Sequence, residues 1–235
     1  MIALLFIIIL FLSFWVFFIP KSFKYHFTLF LLSAGVVISS AWCFELFACG
    51  NLLFQIPLDF LSFQNSFVIT IDRLSAFFIL VINLTVFIGF LYAKGYLEPH
   101  FKTKNAMRFS IHYFSYLWLY FSMILVVSIR DGLSFIIAWE IMALSSFLLV
   151  IFDAEDRSIM KTGINYLMQM HVGMFFILIA FLIVDKSTGQ MSFDVLKLYF
   201  SNHSNFLLFF LFFIGFGISR KSNFQKPNLV YTQLE

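Results

Sequence analysis

GLSFIIAWEIMALSSFLLVI, residues 132–151, is a run of twenty residues with one charged side chain, Glu140, near its centre. Twenty residues of α-helix cover about 30 Å, the hydrocarbon thickness of a bilayer. The stretch therefore predicts a membrane-crossing helix with a carboxyl group at mid-depth. Similar apolar runs lie at 2–19, 27–49, 74–93, 111–129, 164–184 and 206–219. The reading is an all-α, polytopic transmembrane protein of about seven helices. Between the runs lie a Pro-containing segment (51–73), polar segments (94–110 and 185–205) and an acidic–basic loop (152–163).

The composition agrees. Hydrophobic residues fill 62% of the 235 positions, charged residues only 11%, and Phe alone occurs 37 times. A soluble domain carries roughly a quarter charged residues to face water, so the natural solvent of this chain is lipid. A net charge of +3 without a long basic run excludes nucleic acid as a partner. The N-terminus lacks a basic n-region and a small-x-small cleavage site, and reads as a retained helix. Cys43 and Cys49 share one apolar stretch without metal-ligand spacing and read as small buried hydrophobes.

Sidedness follows from Lys and Arg. With seven spans, the connections after the first, third and fifth, plus the C-terminal tail, hold eleven of the fifteen basic residues, including Lys21, Lys94, Lys104 and Lys161. The opposite side holds Arg73, Arg130, Lys186 and Lys197. The excess places the N-terminus outside and the tail in the cytoplasm, in the cytoplasmic (inner) membrane.

An ionisable group inside hydrocarbon costs roughly 3 kcal/mol on insertion scales, so such residues are functional candidates by default. Glu140 leads, because the nearest charges in its chain neighbourhood, Arg130 and Asp131, stand at the foot of its helix. Desolvation favours its neutral form, and a carboxyl that can be neutral or charged is a proton-relay element. The bland alternative is a protonated structural carboxyl bonded to Ser145 or Ser146. His171, in NYLMQMHVGMFF, is the second relay candidate, since imidazole both accepts and donates; its alternative is a packing histidine. Glu45 is a minor candidate within reach of a helix end. Asp72, in TIDRLSAFF, reads as a helix N-cap. No Gly-rich phosphate loop, paired-Cys motif or GxSxG occurs, so no cofactor and no metal ligand is assigned, and no catalytic residue.

The order DRLSAFF, IIAWEIMALSSFLLVIF, DAEDRSIMKTGINYL and MHVG resembles the antiporter-like membrane subunits of complex I, Mrp-type antiporters and group 4 hydrogenases. The segment Tyr166 to His171 and Gly173 is most similar to the hydrogenase-4 component B (formate hydrogenlyase subunit 3) branch. The resemblance implies proton translocation, or Na⁺ translocation, in a hydrogenase or NADH:quinone oxidoreductase-type complex, as a subunit without a redox centre among other membrane subunits. It also implies that Glu140 is the helix-5 glutamate of a half-channel. It divides the chain into two N-terminal helices (1–70), a partial antiporter-like domain (71–219) and a polar tail (220–235).

One departure stands out. After GFGI (215–218) the family has its channel lysine, whereas this chain has Ser219 and then a polar tail. That change reads as a truncated, frameshifted or split gene that supplies only an N-terminal half. A non-conducting remnant packed in a membrane complex therefore stays open as an alternative. An unrelated seven-helix receptor or transporter is a further one, although a retinal protein is disfavoured because no lysine sits mid-way along the last run.

Overall fold

The structure is a computed structural model that describes residues 8–49, 54–57, 68–153, 157–202 and 206–220. A short apolar helix, α1 (Ile8–Phe17), tightens into a 3₁₀ turn at its end. It is followed by α2 (Lys21–Cys49), a hairpin of β1 (Phe54–Pro57) and β2 (Val68–Ile71), α3 (Arg73–Leu97) and α4 (Ala106–Ser128). Then come α5 (Gly132–Val150), α6 (Arg157–Thr188), α7 (Phe193–Asn202) and α8 (Phe206–Arg220). Five of these helices, α2 to α6, are long and apolar enough to cross a membrane, and α1 and α8 are shorter apolar helices. The chain is an all-α polytopic membrane protein with about the seven apolar helices read from the sequence.

Three boundaries differ from that reading. The helix α2 starts at Lys21 instead of residue 27, because the lysines of its first turns bond back to backbone carbonyls and need no water there. The Lys24 Nζ donates to Val16 O at 2.5 Å, and Lys24 is buried. The acidic–basic loop is largely the first turns of α6. The polar linker 185–205 contains α7, whose Val195, Leu196, Tyr199 and Phe200 pack on Ala180, Val184, Leu208 and Leu211 of α6 and α8. An amphipathic ten-residue helix escapes a search for twenty-residue apolar runs. The segment 51–73 forms, where described, an antiparallel hairpin pairing Phe54 with Ile71.

The helices run up and down, so their ends gather on two faces. On one face, Lys21 Nζ bonds Phe101 O (2.6 Å) and Lys104 O (2.7 Å), and Lys104 Nζ bonds Phe152 O (2.8 Å). The other face carries the hairpin. There Asp72 caps α3 by accepting from Ser75 N (2.7 Å) and pairs with Arg130. Backbone bonds Gly132 N→Met191 O (2.8 Å) and Phe193 N→Arg130 O (3.0 Å) tie the α6–α7 connection to the α4–α5 turn. One core unites α1 to α4 with Phe152, and a second unites the end of α4 with α5 and α6.

Candidate functional site

Helix α5 begins at a firm point. Asp131 accepts from both Ser134 N (2.8 Å) and Ser134 Oγ (2.6 Å), which satisfies one free amide of the first turn and suits the helix dipole. About two turns later stands Glu140. Helix α6 returns antiparallel beside it and places His171 at the same level: His171 Nε2 lies 3.0 Å from Glu140 Oε2.

The protonation of this pair can be worked out from its partners. His171 Nδ1 is 2.9 Å from the carbonyl oxygen of Leu167, one turn back on its own helix. A carbonyl oxygen only accepts, so Nδ1 carries a hydrogen and donates. In a neutral ring Nε2 then holds a lone pair, and Glu140 Oε2 must bring the proton as the carboxylic acid. In a charged ring Nε2 donates to a carboxylate. Either way one proton lies between the two groups, and the pair as a whole is neutral.

The second carboxyl oxygen is different. Glu140 Oε1 is buried with no hydrogen-bond partner among the described residues. The neighbouring Trp139 Nε1 is likewise buried and unpartnered, with its ring edge-on to Phe216 of α8 (5.8 Å). The pair is also incompletely covered: 37% of the His171 side chain and 21% of the Glu140 side chain are exposed. The exposed flanks, Ile137 and Leu144 on α5 and Met168 and Phe175 on α6, are apolar.

The structure thus brings together the two leading candidates of the sequence. It does not bring in the third, since Glu45 lies on an exposed face of α2 and makes no ion pair among the described residues. Nor does Glu140 bond the serines offered as its structural partners: Ser146 Oγ donates to Ala143 O (2.9 Å) and meets Tyr166 OH (3.0 Å). The side chain of Ser219, and everything from Lys221 onward, lies outside the described residues, as does the side chain of Cys49. Cys43 is fully buried. Among the described residues no three His, Cys, Asp or Glu side chains gather to hold a metal ion.

Sequence reasoning missed a second polar centre. Asn83 of α3 donates to Ser39 Oγ (2.9 Å) and Ser40 Oγ (2.8 Å) of α2, and accepts from Tyr120 OH (2.9 Å) of α4. The signal was available, since an amide in the middle of an apolar run is as conspicuous as a carboxyl.

Residues 130–223 match the family model described as NADH:quinone oxidoreductase/Mrp antiporter, transmembrane. Hydrogenase-4 component B of Escherichia coli (strain K12) is 34% identical over 148 residues, which cover 62% of this chain and 21% of that protein. The chain therefore spans about a fifth of the length of this relative. Among solved structures, the membrane-bound sulfane sulfur reductase, an archaeal respiratory membrane complex, has a chain that superposes with a TM-score of 0.71 at 18% identity. The match covers 93% of this chain and 43% of that one, and it is a likeness of fold. The family match takes in Glu140, Tyr166, His171 and α8, and through this segment the chain is similar to the antiporter-like membrane subunits.

Proposed function

We propose that this chain is a membrane subunit of a proton-translocating hydrogenase or quinone oxidoreductase-type complex, and that Glu140 and His171 form the relay of a proton half-channel within residues 71–219. The observation that carries the reading is the 3.0 Å contact between them with the ring orientation locked by Leu167 O. Removing the shared proton leaves a carboxylate facing a lone pair. Adding one more leaves an acid beside an imidazolium. Both neighbouring states cost more than the neutral pair in a low-dielectric setting, so the pair gains or loses its proton in response to a charge brought near it. A cation approaching Glu140 favours the carboxylate and drives the proton off, and its withdrawal calls the proton back. His171 thereby does for Glu140, by direct contact, part of what the family lysine absent at position 219 would do.

Protons fit this site better than Na⁺. Its polar atoms are one carboxylate and one ring, a set suited to holding a hydrogen and too sparse for the oxygen shell of a metal cation. The exposure of His171 supports further membrane subunits as partners, because a half-covered ionisable pair facing lipid is costly and another helix over α5 and α6 would relieve it. The basic face supports a multi-pass arrangement in the cytoplasmic membrane with that face inside and the N-terminus outside.

The test is proton uptake into vesicles containing the assembled complex, normalised to the amount of this chain. Glu140→Gln keeps shape and hydrogen bonds but cannot release a proton. Uptake should fall at least tenfold with assembly unchanged. Uptake at the parental rate would make the pair a structural clamp and overturn the relay.

A further inference from the structure

The Glu140–His171 pair has four polar valences, and three are closed. His171 Nδ1 is held by Leu167 O, and Nε2 and Glu140 Oε2 are held by each other. Protons can therefore enter or leave through Glu140 Oε1, which is buried and has no hydrogen-bond partner among the described residues. The nearby Trp139 Nε1–H only donates and cannot pass a proton onward.

Glu140, Ala143 and Ser146 follow one another at intervals of three, which makes them a single row on the surface of α5. Ala143, between the two polar residues, is fully buried and contributes only a methyl group. Ser146 Oγ lies about 9 Å along the helix axis from the level of Glu140, in the direction of the lysine-rich face. There it meets Tyr166 OH of α6 at 3.0 Å. Its own hydrogen has two possible destinations, Ala143 O at 2.9 Å and the tyrosine. When Ser146 donates to Ala143 O, Tyr166 donates to Ser146; when Ser146 turns, the order reverses. A hydroxyl pair that can reverse its donor direction is the element a proton-transfer chain requires, whereas a one-way hydrogen bond blocks it.

We propose that the Ser146–Tyr166 hydroxyl pair is the next station for protons moving between the lysine-rich face and Glu140 Oε1, with water completing the step past Ala143. The proposal rests on the relay reading of Glu140 and His171, and it assigns that relay an access side and two further residues.

The experiment is a pH jump on the full chain reconstituted in vesicles, followed through the infrared band of the protonated carboxyl that vanishes in Glu140→Gln. Tyr166→Phe and Ser146→Ala should each slow the appearance of that band at least tenfold and leave its final amplitude unchanged. The double variant should be no slower than the slower single one, because both residues serve one path. Should Tyr166→Phe fail to fold, Ser146→Ala, the smaller change, carries the same test. Parental rates in the variants, or unchanged rates with a shifted final amplitude, would overturn the proposal. Carboxyl kinetics are read without reference to translocation. A relay that fails the Glu140→Gln uptake test but still shows slowed exchange in Tyr166→Phe would sink the proposed function and spare the station.

Discussion

Asp72 combines two roles at one point of the hairpin face. Its carboxylate caps α3 through Ser75 N and pairs with Arg130 at the foot of the α4–α5 turn. Burial works to raise its pKa, but the amide and hydroxyl of Ser75 and the guanidinium of Arg130 outweigh it and hold the group below its ordinary value of 3.8. A depressed carboxyl stabilises the fold above its unfolded pKa and loses that contribution as pH falls through the folded value. Asp72→Asn should therefore lower the thermal stability of the purified chain at pH 7 and show no deficit at a pH well below 3.8. The cap itself survives, because an Asn side-chain oxygen accepts from Ser75 N as Asp does, and the expected loss is at most about 1 kcal/mol from a pair whose side chains are over a third exposed. A deficit of equal size at both pH values would assign the effect to packing. The capping role was legible in TIDRLSAFF, where an acid stands immediately before an apolar run. The bond to Arg130 was not, because it joins residues 58 positions apart and no local pattern fixes such a pairing.

At the scale of elements, α8 shows how a short helix is held. A Cβ added at Gly215 would stand 2.6 Å from Ile177 Cγ1 and 2.9 Å from Gly173 O, so α6 and α8 touch backbone to side chain there. Close approach through small residues is the usual means of helix association in lipid, where burial offers no hydrophobic gain. One carbonyl in the way is backbone and cannot turn aside. Gly215→Ala should thus destabilise the chain in mild detergent by about 1–3 kcal/mol. Gly217→Ala is the control, since a Cβ there meets nothing within 4 Å, and it should be near neutral. Equal melting temperatures for the two variants would contradict the close contact. The existence of α8 was readable from its Phe- and Leu-rich run, but not the helix that supports it. That support is α6, with Val195, Leu196, Tyr199 and Phe200 of α7 packed beside the contact, and α7 is too short and too mixed to be found by hydropathy.

Across the whole molecule, charge is sorted by the polarity of the helices. Aspartates 72 and 131 stand at the N-termini of α3 and α5 on the hairpin face. Lysines 21, 24 and 104 bond carbonyls at or just beyond the C-terminal ends of α1, α3 and α5 on the opposite face. Each set complements the partial charge of the helix ends it meets, and the lysine set also supplies the positive excess that marks a cytoplasmic side. In a chain whose own cysteines are replaced, Lys102→Cys should accordingly react with an impermeant thiol reagent only after the membrane is opened. Lys186→Cys should react on intact cells. The reverse pattern would invert the proposed orientation. The sequence alone determined the solvent, the number and rough place of the apolar helices, and the two polar residues, Glu140 and His171, that stand inside them. It could do so because hydrocarbon penalises each exposed polar group separately, and that penalty is written residue by residue along the chain. Only the tertiary structure decided that Glu140 meets His171 instead of a serine, that Glu45 stands apart, and that Asn83 joins α2 to α4. Those outcomes depend on the rotation and depth at which separate helices pack, which side-chain shapes set jointly and no single segment encodes.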